Sequence, residues 1–129
     1  MASMHCNRAV CTLERNIIMA ISEAFMRYVY EQIPLATDAN IAVIDGDDAA
    51  HFTVDIDGDN VHALYIANGI HKLLCNISDV DMSDDATTYN VIFAYSPAYC
   101  PMDVGQPGEY HYQIPVEVQY TAVENEVNA

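Results

Sequence analysis

From Tyr110 onward the chain alternates: Tyr110, Tyr112, Ile114, Val116, Val118, Tyr120 and Ala122 fall on every second position, with His111, Gln113, Glu117, Gln119 and Thr121 between them. A period of two over that length predicts a long strand with one buried face, which in turn demands a layer to cover it. Pro115 interrupts the polar positions and has no N–H to give a ladder, so it predicts an edge position or a bulge. A second strand is expected from Tyr89 to Tyr95, where Tyr89, Val91, Phe93 and Tyr95 alternate with Asn90, Ile92 and Ala94. Pro97, Pro101, Pro107, Gly105 and Gly108 lie between the two and forbid a helix there. The simplest arrangement is an antiparallel pair joined by a long, projecting, turn-rich loop.

The covering layer is predicted to be helical. Leu13, Ile17, Ile21, Ala24, Phe25 and Tyr28 recur at three and four in a helix from about Asn7 to Gln32, which Pro34 ends. Its apolar arc is broad, and its exposed flank holds Arg8, Arg15 and Arg27. After a linker from Leu35 to Asn40, Ile41 to Ile44 reads as a brief strand, Asp45 to Asp48 as a turn, and Phe52, Val54 and Ile56 as the apolar face of a second strand, which together predict a hairpin or an irregular two-strand excursion. From Asn60 the period returns to that of a helix, with Ala63, Ile66, Ala67, Ile70, Leu73, Leu74 and Ile77 on one side and His62, Tyr65, Asn68, His71 and Lys72 on the other. Asp57 or Asp59 is the expected N-cap, and Gly69 marks an expected close approach to the sheet. Ser78 to Thr88 reads as an acidic loop. The expected fold is α+β, a single domain over 1–129, with two helices on one face of a mainly antiparallel four-stranded sheet and a long loop between the last two strands.

Charge narrows the function. Nineteen acidic residues against four lysines and arginines give a net charge of −15. Such a chain cannot assemble the cationic face that phosphate-backbone binding requires, so tight nucleic-acid binding is not expected. The charge suits solubility, a surface to which DNA must not adhere, or an imitation of DNA. With no apolar run of membrane-spanning length and no basic region leading into an apolar one, the reading is a soluble protein made in a cytoplasm, without a membrane partner. Cys6, Cys11, Cys75 and Cys100 form no close pair and predict free, mostly buried thiols.

Motifs for chemistry are missing. Asp55, Asp57 and Asp59 have the opening spacing of a calcium loop, but Asn60 stands where glycine is wanted and Ile66 where a bidentate glutamate belongs. His71 and Cys75 have a zinc-compatible spacing without a second pair. No phosphate-binding loop, dinucleotide fingerprint, nucleophile elbow or metalloprotease motif is present, so neither a cofactor nor an enzyme activity is expected.

The stretch from Phe52 to Asp57 running into a helix from Val61 to Leu74, the loop from Ala98 to Gly105, the segment from Gly108 to Tyr112, and the strand from Ile114 to Tyr120 resemble the bacteriophage tail-completion group: tail-terminator, head–tail joining and minor capsid proteins. Pro115 departs from that group's last strand. The resemblance implies a structural virion protein, assembled in the host cytoplasm, that forms a ring of six copies in the neck or at the tail end and meets tail-tube or connector proteins. Pro101, Asp103, Gly105, Pro107, Gly108, Tyr110, Arg15 and Arg27 are then the expected subunit-interface residues. Asp45, Asp47, Asp48, Asp55, Asp57, Asp59, Asp79, Asp81, Asp84 and Asp85 are expected on an acidic rim or channel that DNA crosses. Two alternatives stay open: an acidic decoy that binds a host DNA-processing protein, and an enzyme or small-ligand domain.

Overall fold

A computed structural model describes residues 21–125. Helix α1 occupies residues 21–32 of this range, followed by a 3-10 turn, Pro34–Asp38. The elements that follow are β1 (Asn40–Asp45), β2 (His51–Gly58), α2 (His62–Leu74), β3 (Ser78–Ser83), β4 (Thr87–Tyr95), β5 (Met102–Asp103) and β6 (Tyr110–Glu124). The class is α+β as expected, but the sheet has six strands, in the order β1-β2-β6-β4-β3 with β5 added beside β6. All the pairings are antiparallel.

The alternating strand organises the sheet. β6 is 15 residues long, roughly 50 Å at the rise of an extended chain. Its first half pairs with β2, from Gly58↔Tyr110 to His51↔Glu117. Its second half pairs on the opposite edge with β4, from Tyr95↔Glu117 to Thr87↔Glu124. The expected β4–β6 pair therefore forms over half of β6, and the intervening loop folds back, with Met102↔Gln113 and Asp103↔Tyr112 pairing as β5.

This division accommodates Pro115 inside a central strand. Val118 N–H donates to Ala50 on the β2 side, and Val104 N–H reaches the carbonyl of His111 on the other. Backbone groups alternate along a strand, so position 115 points with 111 away from β2. That direction opens into the gap between the end of β4 and the start of β5, where no ladder bond is lost.

The inner face carries Phe52, Val54, Ile56, Met82, Tyr89, Val91, Ala94, Tyr112, Ile114, Val116 and Val118, all buried. Ile21, Ala24, Phe25, Met26 and Val29 of α1 and Ala63, Ile66, Ala67, Ile70 and Leu74 of α2 complete the core. Phe25 meets Phe52 edge to face at 5.2 Å. The α2 stripe lies where periodicity puts it, but the cap does not. The Asn60 side chain accepts from His62 N–H at 2.8 Å, and no aspartate caps the helix. The close helix–strand approach falls at Gly58, where a Cβ would stand 2.8 Å from the Ala63 Cβ, whereas Gly69 faces Ile33 at 3.4 Å and not the sheet.

Three other expectations are corrected. Ser78 to Ser83 is a strand, not a loop. In β4 the register shifts between Val91 and Phe93, so Ile92 forms a bulge. Beyond it Ala94 is buried, while Phe93 and Tyr95 face outward. Cys75 and Cys100 are exposed, not buried; Cys6 and Cys11, with the start of the first predicted helix, lie outside the described residues.

Candidate functional site: the open face of the sheet

Both helices cover one face of the sheet. Among the described residues the other face is uncovered, and its side chains are tied across strands. His51 at the start of β2 lies 2.6 Å from Asp48 Oδ1 through Nδ1 and 3.2 Å from Glu117 Oε1 through Nε2. Tyr95 on β4 donates its hydroxyl to the same Glu117 oxygen at 2.6 Å. One chain of contacts thus joins the β1–β2 turn, β2, β6 and β4. A second centre lies towards the start of β6, where Asp55 Oδ1 faces His111 Nε2 at 2.7 Å and accepts from Gln113 Nε2 at 2.8 Å. A third lies on β4, where Asn90 Nδ2 donates to Asp79 and Asp81, each at 2.9 Å.

These contacts move the titrations. The hydrogen bond to Asp48 raises the His51 pKa, and reciprocally His51 holds the Asp48 carboxyl below the usual carboxylate range. Asp55 raises His111 in the same way. Tyr95 is raised by its bond to Glu117. On the inner face burial dominates, pushing Tyr89 up to about 12.

The expected site residues do not converge. Asp45, Asp47 and Asp48 lie at the β1–β2 turn, Asp55 and Asp57 on the open face of β2 with Asp59 just beyond, and Asp79, Asp81, Asp84 and Asp85 at the opposite edge on β3 and the turn after it. They are spread along the length of β6 and do not gather on one rim. In the loop, Pro101 is buried, and Asp103 accepts from Gly105 N–H at 3.0 Å. Pro107 and Gly108 occupy the centre of a turn closed by Glu109 N–H to Gln106 at 2.9 Å. Gly108 has φ 88°, as a type II turn requires at its third residue. A small hollow of about 310 Å³ brings Asp57 and Asp59 together with Gly108, Glu109, Tyr110 and His111. Arg27 is engaged within the molecule, 3.2 Å from Asp85 and 3.4 Å from Glu23. Arg15 lies outside the described residues.

A wider cleft of about 800 Å³ runs between residues 32–35 and the outer side of α2, past Tyr65, Asn68, Lys72 and Asn76. His71 at its border is committed to the carbonyl of Ala98 at 2.9 Å. No group of three or more His, Cys, Asp or Glu side chains suited to a metal ion occurs among the described residues. The polar side of β6 is legible in the sequence, but the partners of His51, His111, Asn90, Tyr95 and Glu117 are not. Their only signal was alternation, and alternation does not name the neighbouring strand.

No protein-family model matches the chain, and comparison with curated proteins and with solved structures yields no match.

Proposed function

We propose that the chain is a structural subunit that acts by assembly: a ring component at the neck or tail end of a bacteriophage virion, contacting copies of itself and tail-tube or connector proteins, with an acidic surface that lets DNA pass. The observation that carries this reading is the placement of the exposed apolar side chains. Ile92, Phe93, Tyr95, Tyr99, Met102 and Val104 are all exposed on the outer part of β4 and the loop that follows it, and Tyr99 is 99% exposed. Aromatic and methionine side chains are enriched in the cores of protein interfaces, and a loop anchored by β5 presents them in a fixed place. The cross-strand ties of His51, Asp55 and Asn90 suit a stiff scaffold better than a reacting centre. Native mass measurement and negative-stain imaging of the purified protein test the reading. Rings are expected, and a species that stays monomeric in the presence of tail or capsid components overturns it.

One observation favours the decoy as the second reading. Asp55, Asp57, Asp81 and Glu117 share a single face of the sheet. Three of the four are already hydrogen-bonded to neighbouring side chains, which leaves fewer free acceptors for a partner's basic groups. The decoy predicts salt-sensitive capture of a basic DNA-processing protein by the wild-type chain.

A further inference from the structure

The two outer edges of the sheet are protected unequally. On β3, Asp79 and Asp81 put charge on the edge, and Asp79 adopts φ 56° and drops out of the ladder with β4. Charge and irregularity of this kind keep other strands away. β1 has neither device over its first five residues. Asn40, Ile41, Ala42, Val43 and Ile44 carry no charge, contain no proline, and pair with β2 in unbroken register from Asn40↔Asp57 to Asp45↔Phe52. Gly46 N–H bonds to His51, which by alternation turns 40, 42 and 44 towards β2 and leaves the N–H and C=O of Ile41 and Val43 pointing outward. No described strand takes them.

In a chain of net charge −15, an uncharged edge is where a second, equally acidic copy can approach. The remaining free edge, β6 beyond β2, is flanked by the acidic β1–β2 turn, where the Ala50 carbonyl accepts from Val118 N–H. We propose that β1 is a homotypic interface, pairing antiparallel with β1 of a second copy to make one continuous sheet. Keeping the buried faces of both copies on the same side restricts the register. Centring on Ala42 sets Ile41 opposite Val43 and Ala42 opposite Ala42, uses the outward groups of Ile41 and Val43, and leaves both Asp45 side chains outside the pairs. Beyond the ends, Asp38 of each copy nears Asp45 and Asp47 of the other, so the dimer tightens as salt rises. A charge-complementary partner would behave oppositely.

This contact differs from the loop contacts of the proposed ring, and its test is separable from theirs. In the full chain, Ala42→Cys should give a disulfide-linked dimer joining the two introduced thiols under mild oxidation, because opposed non-hydrogen-bonded positions stand about 4.5 Å apart at Cα. Ile44→Cys should not, since its two thiols lie about 13 Å apart along the strands. Peptide mapping separates this link from any through Cys6, Cys11, Cys75 or Cys100. Ala42→Lys, which faces Asp55 within its own hairpin and so keeps the fold, should weaken the dimer on the order of tenfold or more. A wild-type monomer at all concentrations and salts overturns the proposal, as does a dimer indifferent to Ala42→Lys or without the Ala42→Cys link. Exchange-protected amides of Ile41 and Val43 in a monomer would also overturn it, since the edge would then be covered from within the chain. Loss of the ring on loop replacement, with the linked dimer intact, would separate the two contacts.

Discussion

Two histidines make the open face responsive to pH. Folding raises the pKa of His51 and of His111, so each binds its proton more tightly in the folded state. The stability they add is complete below the unfolded value of about 6.5 and is lost as the pH rises through the raised folded value. Asp48, with its pKa lowered, acts in the other direction: its contribution is present above the ordinary carboxylate range and disappears as the pH falls through the lowered value. The melting temperature of the wild type should therefore fall from about pH 6 to about pH 8 more steeply than that of a His51→Gln, His111→Gln double variant. Parallel curves would show that these contacts do not couple protonation to folding. Gly69 offers a second residue-scale test. Its nearest neighbour would be Ile33 Cδ1 at 3.4 Å, an ordinary contact, so Gly69→Ala should stabilise the protein by up to about 1 kcal/mol through helix propensity. A drop in melting temperature would mean that Ile33 cannot yield.

At the scale of elements, β6 depends on which way each backbone group points. Pro115 faces the gap between β4 and β5, so Pro115→Ala should change stability by no more than about 1 kcal/mol. Moving the proline one place, as in Ile114→Pro, removes an N–H directed at β2 opposite Val54 and should cost about 3 kcal/mol or more. Denaturant unfolding of the two variants checks the contrast, and equal losses would show that the gap is closed. Val118 is buried in the same strand, and Val118→Asp should cost several kcal/mol by burying an unpaired charge. An unchanged melting temperature there would refute the inner-face register. The bulge at Ile92 reshapes the open face, because turning Phe93 and Tyr95 outward creates a stacked pair at 6.0 Å on the side without helices.

For the whole molecule, the proposed assembly separates folding from association. Pro101 and β5 anchor the loop to the first half of β6, whereas Tyr99 is free to meet another chain. Tyr99→Ala should leave circular dichroism and melting temperature nearly unchanged while reducing oligomer formation in gel filtration. An unaltered elution profile would remove the loop from the interface. Charge is also set at this scale. With the aspartates spread along the sheet, changing Asp79, Asp81, Asp84 and Asp85 to lysine should create salt-sensitive DNA binding at one edge, together with a lower melting temperature, because Asp84 accepts from the N–H groups of Ala86 and Thr87 and Asp85 pairs with Arg27. Absence of binding at low salt would mean that this edge is not accessible to a duplex.

Some of this was legible in the residues themselves. Periodicity is local: the alternation of β6, the stripe of α2 and the hairpin of β1 and β2 each follow from which side of one element must be dry, and so does the α+β class. β3 left little trace because it is an edge strand with Met82 as its single buried residue, and a loop of acidic residues looks the same in sequence. β5 is two residues long, too short for any period. Which half of β6 meets β2 and which meets β4, where Pro115 can sit, which way Phe93 turns, and that His51 reaches both Asp48 and Glu117 were decided only when the strands paired. Partner and register are properties of two segments far apart in the chain, and the pattern of either one alone is compatible with several.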